Sequence, residues 1–154
     1  MIDIHVRKSY VNNVSKKDIR KSLLQVITSL FPDYNFEIGV LICSDGEIQR
    51  LNQYYRQVNS PTDVLSFESE EVIPELGSRY LGDIVVSYDT AFVQSQKLGH
   101  PVSNEILILL IHGLLHLLGF DHDNAKSKEI MWQKQYEALG VLNLEVKGFS
   151  GEND

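Results

Sequence analysis

His112, His116 and His122 stand in an otherwise apolar run, HGLLHLLGFDH, and no other feature of the chain constrains its folding as tightly. Residues four apart lie one above the other on an α-helix, so His112 and His116 can aim two imidazoles at one point. From Ile106 to Leu118 the flanks are apolar on every side, which predicts a buried helix, and buried imidazoles need partners. Gly119 tolerates the left-handed conformation that ends helices, so the chain can turn there and bring His122 back toward the same point. Three imidazoles leave one position open on a tetrahedral zinc, the arrangement of a catalytic centre and not of a closed structural one. A purely structural histidine cluster is the alternative. A metal, one ion per chain, is the more economical partner.

The 154 residues are expected to form one domain over 1–150, with 151–154 as a frayed tail. The sole cysteine, Cys43, has no partner for an internal disulfide and reads as a small core residue in a reducing compartment. The opening MIDIHVRKSY lacks the apolar core of a signal peptide, and the run from Ile106 to Phe120 is too short to span a bilayer, so a soluble, cytoplasmic protein is expected. The net charge of −7 argues against holding nucleic acid by bulk electrostatics. Its distribution is uneven. Residues 1–56 carry eight Lys/Arg against six Asp/Glu, and residues 57–154 carry six against fifteen. Arg7, Lys8, Lys16, Lys17, Arg20 and Lys21 form an early basic run, readable as a polyanion contact or as a solvated helix face.

Ile2 to Val6 alternate as a strand with His5 facing outward. A helix capped by Ser15 follows and closes before Pro32, then a strand from Phe36 to Ile42. Asp45 to Arg56 have Ile48, Leu51 and Tyr55 at helical spacing, with Ser44 or Asp45 as cap and Arg56 at the end. VLSF is a short strand, Glu68 to Gly77 an exposed acidic loop, and Leu81 to Ser87 another strand. Asp89 to Leu98 form a helix ended by Gly99 and Pro101. Ser103 is the expected cap of the histidine helix, with Glu105 suiting the dipole of its first turn. A last helix is expected from about Asn124 to Leu139, terminated by Gly140. The fold class is α+β: a small mixed sheet covered by helices, with the histidine helix central and buried.

The site has the ligand spacing of metzincin proteases, His-x3-His-x2-Gly-x2-His, but lacks their glutamate after the first histidine. That position is Gly113, which disfavours peptide hydrolysis of that type. Zinc can lower the pKa of a bound water to about 7 without a dedicated base. Asp121 and Asp123, flanking the third ligand, could each accept a histidine ring N–H or cap the last helix. Asp63 and Asp83 have structural or site-lining readings, Thr62 and Ser66 are weaker candidates, and His100, after a glycine in a turn, reads as exposed and unrelated.

HGLLHLLGFDH together with NQYYRQVNSPTDVLSF and LGDIVVS, in this order and at these separations, resembles the YbeY family of bacterial endoribonucleases over nearly the whole chain. The resemblance implies metal ligands at His112, His116 and His122 and a functional arginine at Arg56. This chain has Gln57, Val58 and Asn59 where some members carry further basic residues, and Glu68 where some have proline. The implied activity is zinc-dependent cleavage of single-stranded rRNA, with processing of the small-subunit rRNA 3′ end and ribosome quality control. The implied partners are that RNA and the small ribosomal subunit, with no part for membrane or DNA. Arg56 offers a planar fork of donors matched to phosphate oxygens, and either water or the RNA 2′-hydroxyl could attack. A non-catalytic ribosome-assembly factor with a structural metal, and a metal-dependent hydrolase of peptides or small molecules, are the competing functions.

Overall fold

The computed structural model describes residues 1–69, 72–73 and 78–145. In chain order it comprises β1 (Ile2–Val6), α1 (Lys16–Leu30), β2 (Phe36–Cys43), α2 (Asp45–Arg56), β3 (Val64–Glu68), β4 (Val72–Ile73), β5 (Ser78–Ser87), α3 (Tyr88–Leu98), α4 (Val102–Leu117) and α5 (Ala125–Val141). The sheet has the order β1-β2-β5-β3, with β4 on the same edge of β5 as β3. β1, β2 and β5 are parallel, whereas β3 and β4 run antiparallel to β5, so the sheet is mixed. The architecture is a single α+β domain, as its composition of elements predicts.

Alternation along the strands sorts side chains into two layers. Ile2, Ile4, Ile38, Val40, Ile42, Val64, Ile84 and Val86 face the main core, where they meet α1, α4 and the buried side of α5. Leu41, Cys43, Leu65, Phe67 and Val85 face the other way and form a smaller core with Ile48 and Leu51 of α2. Cys43 is fully buried there, as expected. α4 lies across the main face with Ile106, Ile108 to Ile111, Leu114 and Leu115 buried. Every side of this helix meets protein, which is why its sequence lacks a polar stripe.

α1, α2, α3 and α5 begin at serine or asparagine side chains that accept from the backbone N–H three residues on: Ser15, Ser44, Ser87 and Asn124. α4 is different. Its N-cap is Pro101, with no side-chain cap, and Ser103 sits inside the first turn. α5 does not stop at Gly140 but continues to Val141. It ends where Asn143 adopts φ 56° and the Leu144 N–H returns to the Leu139 carbonyl. The last strand starts earlier than its apolar run suggests, at Ser78, and pairs with β4 inside the stretch expected to be an acidic loop. Glu68 of that stretch belongs to β3, while residues 70–71 and 74–77 and the 151–154 tail lie outside the described residues.

His100 is also not where its neighbours suggest. It is buried, its Nε2 2.7 Å from Glu105 Oε1. Glu105 lies in the first turn of α4 as expected, and it is wholly buried there with His100 as its partner. No single helix among the described residues is long and apolar enough to cross a membrane.

Candidate metal centre

The site is built from one helix and the turn that ends it. His112 and His116 lie one turn apart on α4, their Nε2 atoms 3.1 Å from each other. Gly119 then adopts φ 100°, the Gly119 N–H returns to the His116 carbonyl, and the Phe120 N–H returns to the Leu115 carbonyl. This paired-bond ending reverses the chain and returns His122 toward the helix. The three imidazole rings have centroid separations of 4.7, 5.8 and 5.1 Å, and one nitrogen from each lies within 4.8 Å of the others.

Burial makes this convergence costly without a ligand. His112 is 2% exposed, and His122 Nε2 is buried with no hydrogen-bond partner among the described residues. Desolvation lowers the pKa of His112, and the nearby His122 adds to the effect against the opposing pull of Gln135. His116 is lowered to about 4, first by desolvation, then by His112 and His122, with Arg56 contributing in the same direction. His112 and His116 are therefore neutral at physiological pH and present lone pairs, as metal ligation requires. An orphaned ring nitrogen beside two neutral imidazoles fits a divalent cation with affinity for nitrogen donors.

Gln135 of α5 orients the first histidine. Its Oε1 lies 3.0 Å from His112 Nδ1, and an amide oxygen can only accept, so Nδ1 carries the proton and Nε2 keeps its lone pair for the site. Sequence reasoning missed this residue. The available signal was a polar side chain on the buried stripe that α5 forms with Met131, Ala138 and Leu139. Asp121 and Asp123, proposed for that role from adjacency, are exposed. Asp121 Oδ1 accepts the Asp123 N–H at 3.3 Å, and neither carboxylate hydrogen-bonds an imidazole among the described residues.

Arg56 ends α2 and donates from Nη2 to the Ser66 carbonyl at 3.2 Å. Ser66 Oγ in turn donates to the Gly113 carbonyl at 3.2 Å, so α2, β3 and α4 are tied together beside the histidines. Gly113 itself faces the sheet. A Cβ there would lie 2.5 Å from Ile84 Cγ2, so this position has no room for a general base. Asp63 is a buried anchor, accepting from the Val64 N–H and from Gln94 Nε2, and its charge is felt at His112. Thr62 donates to Asp63. Asp83 is exposed on the opposite face of the sheet, hydrogen-bonded by Tyr80, and takes no part in the histidine site. Of the early basic run, Arg7 is committed to Glu47 by two bonds of 2.9 and 2.7 Å.

Comparison with known proteins places this geometry in context. The family model described as Endoribonuclease YbeY matches residues 2–143. The Endoribonuclease YbeY of Roseiflexus castenholzii is 37% identical over 153 residues, covering 96% of each chain. That of Trichormus variabilis is 40% identical over 145 residues, covering 90% of this chain and 82% of the relative. Among solved structures, TM1509 from Thermotoga maritima superimposes with a TM-score of 0.62 at 27% identity, covering 92% of this chain and 89% of that one.

Proposed function

The chain belongs to the Endoribonuclease YbeY family, and on that premise we propose that it is a zinc-dependent endoribonuclease that cuts single-stranded RNA. The observation that carries this reading is the convergence of His112, His116 and His122, with His122 Nε2 buried and unpartnered among the described residues, beside an arginine. His112, His116 and His122 would hold the ion, and Gln135 would fix the tautomer of the first. When bound, zinc supplies Lewis-acid polarisation of a phosphoryl oxygen and a lowered pKa for water.

The chain's own residues do the rest. A guanidinium carries five N–H donors in a planar fork, and the bond from Arg56 to the Ser66 carbonyl fixes the plane of that fork near His116. In this position Arg56 would bind the scissile phosphate and stabilise the charge that grows on it. The peptide-hydrolase alternative is disfavoured because the glutamate it needs cannot be placed at position 113. The substrate we assign is rRNA, at the 3′ end of the small-subunit transcript, met on the small ribosomal subunit in the cytoplasm.

Incubation of freshly purified protein with end-labelled single-stranded and duplexed rRNA fragments tests the reading. Internal cleavage of the single strand, abolished in His116→Ala prepared in parallel, is the expected result. A protein that carries its metal and leaves the single strand intact would instead be a non-catalytic assembly factor.

A further inference from the structure

The face of the sheet turned away from α4 is not fully covered by α2. Beside that helix it opens into a cleft of about 510 Å³. Leu41 and Val85 form its floor, Tyr55 and Phe67 an aromatic side with Asp83 paired next to Phe67, and His5 and Arg7 line it toward β1. Gly39 keeps it open, since a Cβ there would run into the Asp83 carboxylate. The Tyr55 and Phe67 rings are in contact, with centroids 5.0 Å apart, and Tyr54 meets Tyr55 edge-on at 4.8 Å. Tyr54 and Tyr55 are 75% and 58% exposed, a large aromatic surface for a helix to leave in water.

The cleft is joined to the proposed phosphate clamp by two adjacent rungs between the same elements. Arg56 bonds Ser66 on one, and Tyr55 touches Phe67 on the next. Because side chains alternate along β3, Ser66 faces α4 and Phe67 faces the cleft. A strand of RNA held at Arg56 would therefore reach the aromatic wall by passing over the edge strand.

Resting on the endoribonuclease reading, we infer that this cleft takes an unpaired nucleobase of the RNA, next to the nucleotide whose phosphate Arg56 holds. Stacking on exposed aromatic rings is how proteins grip single-stranded bases, and it is tolerant of sequence. Asp3 and Asp83 on its rim repel phosphate but accept hydrogen bonds from the amino groups of bases, and the charge of Arg7, which also lines the cleft, is held by Glu47, so a base is favoured over a backbone as occupant. A base paired in a duplex cannot enter, so the cleft also supplies a reason for preferring single strands.

The test measures binding separately from cleavage. The metal-loaded protein is titrated with a single-stranded RNA hexamer of mixed sequence and with the abasic ribose-phosphate hexamer, and backbone amide shifts are followed by NMR. The base-bearing hexamer should bind at least about tenfold more tightly than the abasic one, and it should shift the amides of Leu41 and Val85. Tyr55→Ala should erase that preference and Tyr55→Phe should retain it, with circular dichroism confirming that both fold. Equal affinity for the two hexamers, or no change in the preference on Tyr55→Ala, would overturn the inference and leave the cleft as a protein-docking surface. A hexamer that binds in the cleft and is never cut would overturn the nuclease reading alone.

Discussion

Gln135 Oε1 lies 3.0 Å from His112 Nδ1, and this bond crosses from α5 to α4 to reach the most buried of the three imidazoles. It decides which ring nitrogen is bare.

Gln135→Leu should therefore weaken zinc binding by about 10- to 100-fold, the cost of losing an outer-shell partner, while the helix remains packed. Gln135→Glu keeps an acceptor in place and should lose far less. Competition against a chromophoric chelator measures both, and equal affinity in Gln135→Leu and the parent would show that the ring needs no such guide.

The hydrogen bond from Arg56 to the Ser66 carbonyl is exposed and worth about 1 kcal/mol, so Arg56→Ala should lower the melting temperature by a few degrees while the protein stays folded. RNA cleavage should fall by about 10²–10³-fold, the usual loss for a donor aimed at developing charge. Arg56→Lys should recover part of it, because an ammonium lacks the planar fork. Cleavage by the alanine variant at the parent's rate would remove Arg56 from the machinery.

At position 113 a single methyl group should be felt by the whole fold. Gly113→Ala places a Cβ 2.5 Å from Ile84 Cγ2, and overpacking of that kind costs about 1–3 kcal/mol. Adding Ile84→Ala should recover some of the stability lost at position 113, a coupling that a thermal double-mutant cycle would detect. Gly113→Glu should fail to fold as the parent does, for the same steric reason.

Acid should loosen the metal-free protein before it reaches the carboxylate range. His116 titrates near 4 when folded and near about 6.5 when unfolded, and His112 is lowered in the same direction. Between those values the unfolded chain binds more protons. The contribution from these neutral rings is fully present above about 6.5 and is lost as pH falls toward about 4. Chemical denaturation of metal-free protein across this window should show a falling midpoint, and His116→Ala should flatten the trend.

Cys43 should be chemically silent in the folded protein. Burial pushes its thiol up to about 12 and excludes solvent from the sulfur. A thiol reagent at neutral pH should label it only after denaturant is added. Rapid labelling without denaturant would show that the small core beneath α2 opens.

The histidine site was legible in sequence because spacing on a helix translates directly into geometry, and Gly119 announced the turn that completes it. Gln135 was not legible in the same way. It stands 23 residues from His112, and only packing of α5 against α4 brings them together. Adjacency pointed instead to Asp121 and Asp123, which bond locally and face water. The same distinction explains His100: a histidine between glycine and proline suggests an exposed turn, yet the packing of α3 against α4 buries it on Glu105. Ser103 failed as a cap because Pro101 already opens the helix two residues earlier. The two-layer sorting of strand residues followed from alternation, whereas the strand order depended on contacts between distant segments.

The reversal at Gly119 divides the three ligands by how they can move. His112 is fixed in the buried body of α4, and displacing it requires opening the core, while the half-buried His116 is held in the last turn of the same helix. His122 lies past the helix end, tethered by the short span after Gly119. Metal exchange should therefore begin at His122, and its rate should track the length and stiffness of that tether more than the strength of the helix. A centre that holds its ion tightly at equilibrium can in this way still release it quickly.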